Sequence, residues 1–91
     1  MTIRGLGCEA ELDRIFASQA EEMQKVLAAF DCVTDFIIGQ TEREIEVARA
    51  MHDEPGRVKM QVKMETLKHA QAILQMCHQR LRKEEDRHGA P

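Results

Sequence analysis

Apolar residues recur along this chain at helical spacing in two long blocks, with one well-marked turn between them. Counting four and three residues alternately from Leu12 gives Phe16, Gln19, Met23, Val26, Phe30, Val33 and Ile37, and seven of these eight positions are apolar. A 4,3 repeat of this kind is the seam of an amphipathic helix that packs on another helix. Ile15 and Leu27 widen the stripe toward the broader face of a globular helix. Beyond Gly39 the phase changes, and Ile38, Thr41, Ile45 and Ala48 fit better. Thr41-Glu42-Arg43-Glu44 also has the form of a capping box. The chain therefore either kinks at Gly39 or ends one helix and starts another. No proline or multi-residue loop intervenes, and an isolated helical glycine costs only about 1 kcal/mol. The expectation is one long first helix over residues 9–52, kinked at Gly39.

His52-Asp53-Glu54-Pro55-Gly56 is the turn. Pro55 disfavours helical geometry at the residue before it, and Gly56 permits unusual backbone angles. A second helix is predicted over 57–83. Its stripe is Met60, Met64, Leu67, Gln71, Leu74, His78 and Leu81, flanked by Ala70, Ile73 and Cys77. Residues 1–8 read as a flexible lead and 84–91 as a frayed tail. The fold class is all-α, a single antiparallel helical hairpin with a long first helix and a shorter second one. At about 1.5 Å per residue the first helix spans about 64 Å and the second about 40 Å. Paired from the turn, the second helix reaches only to about Asp31 or Val26. The stripe of Leu12, Phe16, Met23 and Val26 is then left to find cover in an oligomer or a partner.

Charge divides along the same line. Between Glu9 and Met51 there are ten acidic and four basic residues, and between Pro55 and Lys83 seven basic and one acidic. Two helices of opposite charge suit a chain folded back on itself. The net charge of −3 argues against general nucleic-acid binding. Aromatic residues are few, Phe16, Phe30 and Phe36, whereas there are six methionines, a residue that suits adaptable binding surfaces. No apolar run approaches the ~20 residues needed to span a bilayer. The N-terminus shows no secretory h-region. A cytoplasmic protein with reduced thiols is the expectation.

Candidate chemistry is sparse. Cys8, Cys32 and Cys77 have no clustered metal or redox spacing. His69, Cys77 and His78 lie within reach of one another in sequence, but a metal site needs three or four convergent ligands with a supporting shell. Cys77 and His78 fall on different helix faces, and Cys32 stands among acids, so neither thiol has the base or electropositive pocket of a nucleophile. The carboxylate runs of the first helix read as a solvated face, because catalytic carboxylates need a concave site. No catalytic residue, metal or cofactor is expected. The patch Phe30, Val33, Phe36, Ile37, Ile38 covers more than one helix face. It serves either as a broad core in a four-helix dimer or as a ridge for a partner helix. The partner-binding candidates are those five residues with Met60, Met64, Leu67, Ile73, Leu74 and Cys77.

The stretch Glu54-Pro55-Gly56-Arg57-Val58-Lys59-Met60-Gln61, followed by Met64-Glu65-Thr66-Leu67-Lys68-His69-Ala70-Gln71-Ala72-Ile73-Leu74-Gln75-Met76-Cys77, resembles the small helical-hairpin co-chaperones of bacterial type III secretion needle subunits. In that family a short turn leads into a helix of the form hydrophobe-Glu-x-hydrophobe-x-x-Ala-x-x-Ile-hydrophobe, which Met64-Glu65, Leu67, Ala70, Ile73 and Leu74 fit. The first helix is longer than in the family, and Val58 or Met60 stands where a Tyr is usual. The resemblance implies a cytoplasmic, non-enzymatic chaperone subunit. It would pack with a second, tetratricopeptide-like chaperone and help keep a needle subunit unpolymerised before export. The alternative is a self-contained homodimer, two hairpins forming a four-helix bundle with a structural or regulatory role. A metal-binding or enzymatic dimer built on His69, Cys77 and His78 is a third reading.

Overall fold

The computed structural model describes residues 7–89, and all the regular structure within them is α-helix. Three helices follow one another: α1 (Glu9–Ala17), α2 (Glu22–Ala50) and α3 (Glu54–Gly89). The long first helix expected over 9–52 is therefore two helices, and the break lies at residues 18–21 rather than at Gly39. Ser18 leaves α1 with extended backbone, at ψ 165°, and its hydroxyl oxygen accepts a hydrogen bond from the Ala20 N–H at 3.4 Å. A serine hydroxyl that serves the local backbone competes with the helical ladder. The Lys25 ammonium donates to the Phe16 carbonyl at 3.1 Å, which satisfies a carbonyl at the end of α1 and ties it to α2. The turn falls at Gln19, the one polar position in the 4,3 count.

Gly39 lies inside α2 with the helix continuous on both sides. The change of apolar phase there has another cause. Ile38, Thr41, Ile45 and Ala48, the shifted row, are all buried, and this row is the seam against α3. Before Gly39, α2 is also covered by α1, so its apolar stripe is rotated toward that second neighbour.

The hinge between α2 and α3 is tighter than the sequence suggests. His52, at φ 56°, takes the left-handed position that Gly56 was expected to need. The His52 N–H donates to the Arg49 carbonyl at 3.1 Å and the Asp53 N–H to the Ala48 carbonyl at 2.8 Å. These two bonds form a Schellman ending. Asp53 then caps α3, accepting the Gly56 N–H at 3.0 Å on Oδ1. Pro55 sits in the first turn of α3, where its missing N–H costs nothing. Helix α3 thus starts at Glu54, three residues earlier than predicted, and runs to Gly89, beyond the predicted end at Lys83. Of the expected tail, 84–89 is helical and the last two residues lie outside the described ones. Of the expected lead, residues 1–6 lie outside them as well.

Helix α2 is central, with α1 packed along one side and α3 along another. The α2–α3 pair is antiparallel: Gln71 Nε2 donates to Asp35 Oδ1 at 2.8 Å and to Thr34 Oγ1 at 2.5 Å, and Gln75 Nε2 to Asp31 Oδ2 at 3.2 Å. Ile38, Ile45 and Met64 form the core, with Met60 and Leu67 packed against it. Of the stripe that was expected to lack an intramolecular partner, Leu12 is covered, whereas Phe16, Met23 and Val26 stay exposed although α1 and α3 flank them. Leu12 is 1% exposed on α1, which folds back onto α2. His78, Leu81 and Glu85 of α3 border one cleft with Glu22, Met23 and Val26 of α2. The extra length of α3 makes the second contact possible, and the break at Ser18 makes the first.

Candidate protein-binding surface

Helix α3 carries two apolar rows. The inner row, Met60, Met64, Leu67 and Leu74, is buried or half-buried against α2. The outer row is Val58, Val62, Ile73 and Met76, exposed by 46%, 59%, 49% and 66%. At about 100° per residue, Val62 and Ile73 stand half a turn around the helix from Met64, so the two rows face opposite ways. Thr66 and His69 fill the middle of the outer row, and with Glu65, Ala70 and Ile73 they line a shallow concavity. Cys77 is exposed beside Met76. A helix packed on one side and apolar on the other presents a surface that water covers at a cost.

The sequence-predicted partner residues fall into three places. Ile38 and Met64 are enclosed between α2 and α3, with Met60 and Leu67 beside them. Phe30, Val33, Phe36, Ile37 and Leu74 are half-buried. Phe36 borders the α1–α2 cleft, and its ring approaches Gly7 so closely that a Cβ there would meet the ring at 2.5 Å. Ile73 and Cys77 alone of the set lie exposed, on α3. The sequence reading passed over Val58, Val62 and Met76. Their signal was a second row on the same helix, eleven residues from Val62 to Ile73 and three more to Met76, masked by the stronger inner stripe.

The α1–α2 cleft brings Cys8 and Cys32 together with Glu11, Arg14, Asp31 and Asp35. Burial pushes the Cys32 thiol up from its ordinary value, and a hydrogen bond with Cys8 and the nearby charges of Cys8, Glu11 and Asp35 add to the rise. A hydrogen bond from Arg14 holds the Glu11 carboxyl below its usual range. This environment keeps Cys32 protonated and therefore weakly nucleophilic. Among the described residues, no three His, Cys, Asp or Glu side chains are grouped closely enough to hold a metal ion. His78 is half-buried on the α2 side of α3, while Cys77 is exposed.

The ion pairs seen among the described residues run along single helices. Arg14–Glu11, Arg49–Glu46, Arg57–Glu54 and Arg80–Glu84 each join residues three or four apart on one helix. The acids Asp31 and Asp35 are met across the seam by the glutamine amides of α3. No described helix is long and apolar enough to cross a membrane. No protein-family model, curated protein or solved structure matches the chain.

Proposed function

We propose that this protein is a non-enzymatic binding module that presents the outer face of α3 to an amphipathic helix of another protein molecule. The observation that carries this reading is the second apolar row of α3, Val58, Val62, Ile73 and Met76, which neither α1 nor α2 covers. A partner helix with its own i, i+3, i+4, i+7 stripe is the ligand such a row fits. Met76 gives this face a side chain that adapts to different shapes.

The specific form of this reading is the cytoplasmic co-chaperone role implied by the resemblance of α3. A needle subunit that polymerises through amphipathic helices is a ligand of the required chemistry, and covering its helix would hold it unassembled. Tagged full-length protein should co-purify a small helical subunit and a second helical chaperone from its native cell. The Val62→Asp and Ile73→Asp variants should lose that capture, with helicity by circular dichroism unchanged, because both side chains are already exposed. Capture that survives both substitutions removes the outer face of α3 as the binding surface.

A further inference from the structure

The outer face of α3 is nearly symmetric about its own middle. Val62 and Ile73 lie at equal distances in sequence from the point between Leu67 and Lys68, and Val58 and Met76 match about that point to within one residue. Both pairs are exposed. We propose that this face pairs with the same face of a second copy of the chain, antiparallel, about a two-fold axis at that point. The inference rests on the reading of the outer face of α3 as a binding surface, and it names the occupant.

Reversal of the row about its midpoint sets Val62 against the second copy's Ile73, Ile73 against its Val62, and Val58 against its Met76. An isologous interface demands this self-complementarity, since each residue must find its match in the same patch. Hydrogen-bonding groups agree with the same orientation. Glu65, the one acid of α3 between Pro55 and Lys83, borders the shallow concavity together with His69. The two are four positions apart and match about the same point to within one residue, so antiparallel pairing places each Glu65 carboxylate beside the other copy's His69 imidazole, once on each side of the axis. Parallel pairing would set His69 against His69 and give Glu65 no basic group at that height. The matched row from Val58 to Met76 is about 27 Å long at ~1.5 Å per residue.

The three helices form a thin slab, 62 × 27 × 14 Å, whose shortest dimension is close to that of a single helix. The outer face of α3 is turned away from α2, so pairing through it joins two slabs edge to edge. The assembly grows in width and leaves its thickness unchanged.

Sedimentation velocity of the full-length chain from micromolar to sub-millimolar concentration tests the pairing. The expected result is a twofold rise in sedimenting mass, abolished by Val62→Asp and by Ile73→Asp with far-ultraviolet circular dichroism unchanged. Wild-type protein that stays monomeric over the whole range overturns the proposal, as do variants that still dimerise. Orientation is read by mild oxidation after Cys8, Cys32 and Cys77 are replaced by serine. A mixture of Val62→Cys and Ile73→Cys proteins should give predominantly the mixed disulfide, whereas disulfides between like variants alone overturn the antiparallel arrangement. Failure here is separable from failure of the binding reading. A monomeric wild type whose capture of a helical protein is still abolished by Val62→Asp keeps the surface and loses the second copy.

Discussion

Thr41 is fully buried in the seam between α2 and α3, and its hydroxyl donates to the Ile37 carbonyl at 2.8 Å. Thr34, about two turns earlier, makes the same bond to the Phe30 carbonyl and also receives the Gln71 amide. The two threonines should therefore respond differently to an isosteric change. Thr41→Val removes a hydroxyl whose partner is already engaged in the helix, and stability should move by less than about 0.5 kcal/mol in urea unfolding. Thr34→Val takes one acceptor from Gln71 across the seam and should cost about 1 kcal/mol. At the hinge, Asp53→Ala should cost about 1 kcal/mol through loss of the cap on α3. Gly56→Ala should damage the same cap, because a Cβ there would overlap the Asp53 carboxylate. The thiols give a residue-scale test of the α1–α2 cleft. Cys77 is exposed, whereas burial and its neighbours raise the pKa of Cys32. Only the thiolate reacts with iodoacetamide. Mass spectrometry should find Cys77 alkylated before Cys32 at neutral pH, with the gap closing as pH rises toward the elevated Cys32 value. Cys32 reacting first would mean that α1 does not rest on α2.

At the scale of elements, the all-helical character of the chain was legible because each long helix carries a clean apolar row, and a marked turn lies between them. The inner row of α3 and the shifted row Ile38, Thr41, Ile45, Ala48 were both readable at their true positions. The break at Ser18 was not, since the 4,3 count continues through it and one polar residue, Gln19, is an ordinary interruption of a stripe. What decides it is tertiary: α1 gains burial of Leu12 by folding back, and a nine-residue helix has little ladder of its own to lose. The hinge was misread because proline and glycine were both assigned to the turn. Proline is equally at home in a first helical turn, and the left-handed residue is a histidine. Gly39 offers a direct check on the continuous α2. A Cβ there would approach nothing closer than Arg43 Nη1 at 3.9 Å. Gly39→Ala should therefore stabilise the protein by about 0.5–1 kcal/mol in denaturant unfolding. A functional kink at this position would instead make the alanine destabilising. The two rows of α3 should also separate by energy. Ile45→Ala, opposite the inner row, should cost about 3 kcal/mol, and Val62→Ala on the outer row less than about 0.5 kcal/mol.

The whole molecule is extended. Its radius of gyration is 17.1 Å, against about 12 Å for a compact domain of this length. Three helices side by side enclose only a small core, Ile38, Ile45 and Met64 with Met60 and Leu67 against it. Surplus apolar surface remains where the sequence assigned it, at Phe16, Met23 and Val26, and is found as well on α3 and near the hinge, where Val47 and Met51 are exposed. The reason is geometric: α1 and the long α3 only flank the first half of α2, and among the described residues no element covers α3 from outside. Association that buries the outer row would add stability that grows with the logarithm of the free partner concentration above Kd, so the midpoint of thermal unfolding should rise with partner or protein concentration.

The central claim is that α3 is packed on one side and free for binding on the other, and its methionines report on it directly. Met64 is 8% exposed on the inner row, Met76 is 66% exposed on the outer row, and Met51 is 72% exposed at the hinge, away from both. Hydroxyl-radical footprinting with mass spectrometry measures the oxidation of all three in one experiment. Free protein should oxidise at Met76 and Met51 and resist at Met64, and the bound state should protect Met76 while Met51 stays reactive. Protection of Met51 with Met76 unchanged, or rapid oxidation of Met64 in the free protein, would contradict the account.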